Sequence, residues 1–92
     1  MIPEEILLKL KEQVHNKKHI QINENYVING EAACKETYLR RKIDKTGYIV
    51  GHDDFLEKFE DIPDLHFKYE RKEFENFNDA VYFLIENYGI NF

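Results

Sequence analysis

A chain of 92 residues, 42% apolar and 34% charged with a formal net charge of −5, makes one small domain, residues 1–92, whose thirteen aromatics must supply much of the core's bulk. The longest apolar run, Ala80 to Ile85, falls far short of the ~20 residues a membrane-spanning helix needs, and the acidic start Met1-Ile2-Pro3-Glu4-Glu5 is unlike a secretory signal, so a cytoplasmic protein with no membrane contact is expected. A lone Cys34 excludes an intrachain disulfide and a thiolate-rich zinc cluster, the absence of serine excludes a serine nucleophile, and glycines standing alone at 30, 47, 51 and 89 exclude a Gly-rich phosphate loop.

Pro3 at a first helical position, Glu4 and Glu5 in the first turn and Lys17 and Lys18 at the far end predict a helix over 3–17, with Ile6, Leu7, Leu10 and Val14 on one face. Ile20 and Ile22, then Tyr26-Val27-Ile28, read as a hairpin that turns at Asn23-Glu24-Asn25 and ends near Asn29-Gly30. The stretch Glu31 to Ile43 carries helical i,i+4 pairs, Glu31/Lys35 and Glu36/Arg40, as well as a strand-like alternation of Thr37, Leu39 and Ile43. A strand over about 36–43 is favoured, because Asp44-Lys45-Thr46-Gly47 is a good turn and Tyr48-Ile49-Val50 a returning strand. Asp53 or Asp54 can cap a short helix near 53–61 whose face is Phe55, Leu56, Phe59 and Ile62, ended by Pro63. Leu65, Phe67 and Tyr69 alternate with His66, Lys68 and Glu70 as a strand does. Asn78 caps a closing helix over 79–88 with Val81, Leu84, Ile85 and Tyr88 on one face and Gly89 as its stop. The expected class is α+β: a small, mainly antiparallel sheet of three to five strands with an N-terminal helix, a short helix near 53–61 and a C-terminal helix. Helices on one face leave the other open to a partner.

Charge is unevenly spread. Residues 1–52 hold nine Lys/Arg against seven Asp/Glu, whereas 53–92 hold four against eleven, together with ten of the aromatics. On a helix near 53–61, Asp53, Glu57, Glu60 and Asp64 recur at spacings of four, three and four and form one outward line of carboxylates. The leading expectation is a non-enzymatic protein-binding module without a cofactor, an inhibitor or immunity-type protein that offers this line to a basic partner. The alternative is a single-stranded nucleic-acid binder using the 38–48 hairpin, where Tyr38, Arg40, Lys42, Lys45 and Tyr48 interleave rings with cations. A third is a small His/Asp metal-dependent enzyme around His52-Asp53-Asp54, although His15, His19 and His66 follow no ligand spacing. A homodimer through an edge strand is also compatible with an open sheet. Asn, Lys, Ile, Tyr and Phe supply 41 of the 92 residues, a bias toward AT-rich codons that points to a bacterial or phage source.

Overall fold

The computed structural model describes residues 2–16 and 18–92. Asn29 and Gly30 both take positive φ, 52° and 78°, the geometry of a two-residue hairpin turn whose twist matches the flanking strands. This turn joins β1, Ile20–Ile28, to β2, Glu31–Arg41, with Ile28 opposite Glu31 and Ile20 opposite Leu39. The turn expected at Asn23-Glu24-Asn25 is therefore absent: these residues pair with Glu36, Lys35 and Cys34 inside one unbroken strand. Asn-Gly reaches positive φ at low cost, so the single reversal falls there.

A loop over 42–47, closed by the Lys42 N–H on the Gly47 carbonyl at 2.8 Å, leads to β3, Tyr48–Leu56. The strand β4, Lys68–Phe74, completes an antiparallel meander in the order β1-β2-β3-β4. The helix expected near 53–61 is largely replaced: Asp53–Leu56 continue β3, paired with Ala33–Glu36, and only Glu57–Phe59 coil, into a single 3-10 turn. The ladder satisfies those backbone groups on both sides of β3 as far as Asp54, and one Asp cap cannot compete with it. A second 3-10 turn, Pro63–Leu65, takes Leu65 out of the expected strand, which begins only at Lys68. Tyr69 on the edge strand β4 remains half exposed, as does Phe67 just before it.

Both helices lie on one face of the sheet. The N-terminal helix α1, Glu4–His15, sets Val14 in the core and packs Leu7 and Leu10 against it; Lys17, expected in its last turn, lies outside the described residues. The C-terminal helix α2, Phe77–Tyr88, begins two residues before the expected start because Asn76 is the cap, its Oδ1 accepting the Asn78 N–H at 2.9 Å. That start buries Phe77 edge-on against the Tyr48 ring, with centroids 5.2 Å apart. Gly89, at φ 63°, ends the helix in the left-handed conformation. Leu39 and Val50 from the sheet and Val81 and Leu84 from α2 are the largest side chains closed off from solvent. No described helix is long and apolar enough to cross a membrane.

Truncation at this contact tests the arrangement. Leu84→Ala should cost about 2 to 5 kcal/mol, and Leu84→Asp, which buries an unpaired carboxylate, should abolish the cooperative melt followed by circular dichroism. Ile43→Asp, at a position 92% exposed, should stay within about 0.5 kcal/mol of the wild-type chain. A Leu84→Asp protein that melts like wild type would contradict the packing of α2.

Candidate functional site

The alternation that gives Leu39 and Val50 to the helices sends Cys34, Glu36, Tyr38 and Arg40 of β2, and Gly51, Asp53 and Phe55 of β3, to the opposite face. Tyr38 lies across Gly51, its ring filling the space a Cβ would need. Beside it Arg71 of β4 holds Asp53 with two hydrogen bonds, Nη1–H to Oδ1 at 2.6 Å and Nη2–H to Oδ2 at 3.1 Å. Its guanidinium stacks 3.9 Å from the Tyr69 ring centroid and 5.2 Å from that of Tyr38. Asp53, expected at the head of an exposed carboxylate line, is thus a buried, neutralised strand residue.

Toward β1 the same face sinks into a hollow of about 410 Å³ lined by Asn23, Asn25, Cys34, Glu36, Phe55, Glu57 and Glu60. The chain after β3 is folded back to make its wall. Phe55 is buried and stacks on His66, with centroids 4.5 Å apart, while His66 Nε2–H donates to the carbonyls of Phe59 at 3.0 Å and Glu60 at 3.2 Å. The Phe67 N–H then returns to the Asp54 carbonyl at 2.7 Å. This clamp brings Glu57 and Glu60 to the hollow that Glu36 enters from β2.

The three carboxylates have little compensation. Lys58, next to Glu57 in sequence, is bonded to Glu31, and Arg71 is committed to Asp53. Burial, and then the charges of Glu60 and Asp53, push the Glu36 carboxyl above its ordinary range, outweighing the pull of His66 and Arg71. Burial and the charges of Glu36, Glu57 and Glu60 likewise push the Cys34 thiol up, so it stays protonated and is no nucleophile at neutral pH.

Of the expected line Asp53, Glu57, Glu60 and Asp64, the structure brings together only Glu57 and Glu60. Asp64 sits exposed on the second 3-10 turn, outside the lining of the hollow. The third carboxylate, Glu36, opens the strand expected over about 36–43 but is absent from the expected carboxylate line; the alternation of Cys34, Glu36 and Tyr38 is the signal that places it here.

The strand also takes His52-Asp53-Asp54 apart. His52 and Asp54 face the helices and Asp53 faces away. His52 Nδ1 lies 2.8 Å from the Thr37 hydroxyl, its ring stacks on Tyr88 with centroids 4.4 Å apart, and burial holds its pKa down. Asp54 accepts the Tyr26 hydroxyl, whose pKa that bond pushes up to about 12. Among the described residues no group of three or more His, Cys, Asp or Glu is placed to hold a metal ion. The rings of the hairpin separate in the same way: Tyr38 lies on the open face, whereas Tyr48 is buried under the helices with its hydroxyl 2.5 Å from His15 Nε2. Arg40, Lys42 and Lys45 stay together around a second hollow, without a flanking pair of exposed rings.

The crowding of carboxylates has a pH signature. A carboxyl whose folded pKa is raised stabilises the fold fully below its unfolded pKa, about 4.3, and loses that contribution as pH rises through the folded value. Glu36→Gln should therefore raise the Tm at pH 7, with the gain shrinking toward pH 4; a lowered Tm at pH 7 would mean that Glu36 is compensated. Arg71→Ala should instead cost about 3 kcal/mol in chemical denaturation, because it strands Asp53 without a partner.

No protein-family model matches the chain, and no curated protein or solved structure is significantly similar to it.

Proposed function

We propose that this protein is a binding module for a basic protein, and that the hollow between β1, β2 and the 3-10 turn at Glu57–Phe59 receives an arginine or lysine side chain of that partner. The observation that carries this is the convergence of Glu36, Glu57 and Glu60 on one concavity with no Lys or Arg among its described lining residues, while Lys58 and Arg71 are bonded to other carboxylates. A concave surface of one sign focuses the field and draws the opposite charge. A guanidinium suits it best, being weakly hydrated and able to donate to two carboxylates at once, while the amide oxygens of Asn23 and Asn25 can accept its remaining donors. The segment that walls the hollow also carries Ile62, Leu65 and Phe67, each about half exposed, beside Asp61 and Asp64. Apolar area beside a charged anchor is the composition of a protein interface. A module of this kind inhibits a nucleic-acid enzyme by placing carboxylates where phosphates would lie. A single buried thiol suits the reducing cytoplasm.

The test is an amide-resolved NMR titration with an arginine-rich peptide at about 150 mM salt, where weak surface attraction is screened. Saturable shifts are expected at Asn23, Asn25, Cys34, Glu36, Glu57 and Glu60. Glu57→Lys with Glu60→Lys should weaken binding by about tenfold or more, and Arg40→Glu with Lys42→Glu should change it by less than about twofold. Shifts that spread over every acidic residue without saturating, or a Glu57/Glu60 reversal without effect, would overturn the proposal.

A further inference from the structure

The far end of β2 borders a second hollow, of about 420 Å³, lined by the last turn of α1, His19 before β1 and the loop over 42–47. Among the described residues its lining is Val14 and Ile43 together with His15, His19, Arg40, Arg41, Lys42 and Lys45, with no carboxylate. Lys42 is held by Glu73 of β4 at 2.9 Å. Arg40, Arg41 and Lys45 form no ion pair among the described residues. Arg41 and Lys45, uncommitted on the wall of one concavity, concentrate positive potential, as the carboxylates do in the hollow on the open face.

The two imidazoles add donors. A phenol is the natural donor to a neutral imidazole, so the Tyr48 hydroxyl bonded to His15 Nε2 leaves Nδ1–H as the donor of that ring. Burial, Arg41 and Lys11 hold the His15 pKa down, the response of an imidazole facing cations with no anion between them. Ile43, 92% exposed, gives the rim a large apolar side chain that nothing among the described residues covers.

We propose that this hollow binds a small phosphomonoester carrying an apolar group, its phosphate held by Arg41 and Lys45 and its apolar part against Ile43 and Val14. Arginine forks match phosphate oxygens, and the volume falls within the range of small-ligand pockets. A nucleic-acid strand fits less well, because Tyr48 is buried and the Tyr38 ring lies across Gly51 on the open face, so neither tyrosine of the hairpin can stack a base in this hollow.

Phenyl phosphate, inorganic phosphate, benzenesulfonate and an oligothymidylate serve as probes, followed by NMR at about 150 mM salt. Phenyl phosphate should give saturable shifts at His15, His19, Arg41 and Ile43. It should bind at least about fivefold more tightly than inorganic phosphate, which lacks the ring, or benzenesulfonate, which lacks the second charge. It should also raise the His15 pKa, since an adjacent anion favours the imidazolium. Arg41→Gln with Lys45→Gln should weaken phenyl phosphate by about tenfold or more and remove its effect on His15, with the melting curve unchanged. Absence of saturable binding, equal affinity for the double variant, or benzenesulfonate binding as tightly as phenyl phosphate would overturn the proposal. So would an oligothymidylate that binds more tightly than phenyl phosphate and extends the shifts to Tyr38 and Tyr69.

Discussion

Leu39 and Val50 can share the core with Val81 and Leu84 only when they lie opposite each other on the two central strands. Because side chains alternate with a period of two, that pairing settles every other position on β2 and β3. A shift of β2 by one residue would turn Glu36 toward α2 and expose Leu39, replacing a buried aliphatic contact with an unpaired carboxylate. The Asn29-Gly30 turn and the continuous β1–β2 ladder resist such a shift from one side, and the Asp53–Arg71 pair ties β3 to β4 from the other. The register is thus held by apolar burial on one face and by an ion pair between rings on the other.

The polar side chains sent to the open face are then free to be arranged by charge. At the start of β2 the chain crosses back over the sheet, anchored by Phe55 and His66, and adds two carboxylates to a third. At the end of β2, on the helix side of the sheet, His15 from the last turn of α1 and His19 just before β1 join the cations of the hairpin. Each concentration of like charge opposes folding, so each is a place where packing elsewhere sustains an electrostatically unfavourable arrangement. The two fields lie along one strand, the carboxylates beside Cys34 and Glu36 and the cations at Arg41 and the loop that follows it.

The helices at the two ends of the chain were legible because their evidence is local: an apolar stripe at the helical period, acidic residues or a cap at the start, and a stop. The short helix expected near 53–61 fails because Asp53-Asp54-Phe55-Leu56 satisfies a helix cap and a helical apolar face as well as a strand. Pairing with β2 and β4 chose the strand, and the line of carboxylates drawn on the helix disappeared with it. Asn23-Glu24-Asn25 was misread for a related reason: polar residues with turn preferences tolerate a strand whose face meets water, and β1 is almost wholly exposed there.

From its sequence alone the chain determined its class, its two terminal helices, the hairpin around Asp44–Gly47 and the separation of basic and acidic halves, all of them properties of neighbouring residues. Only the tertiary structure decided which charges meet. Glu36 joins Glu57 and Glu60 across twenty or so intervening residues, and His15 joins Arg41 from another element, because strand pairing and the return of the chain over the sheet bring them together. Local spacing carries the period of an element but not the identity of what lies opposite. The face a strand residue occupies follows from a register set by contacts distant in sequence.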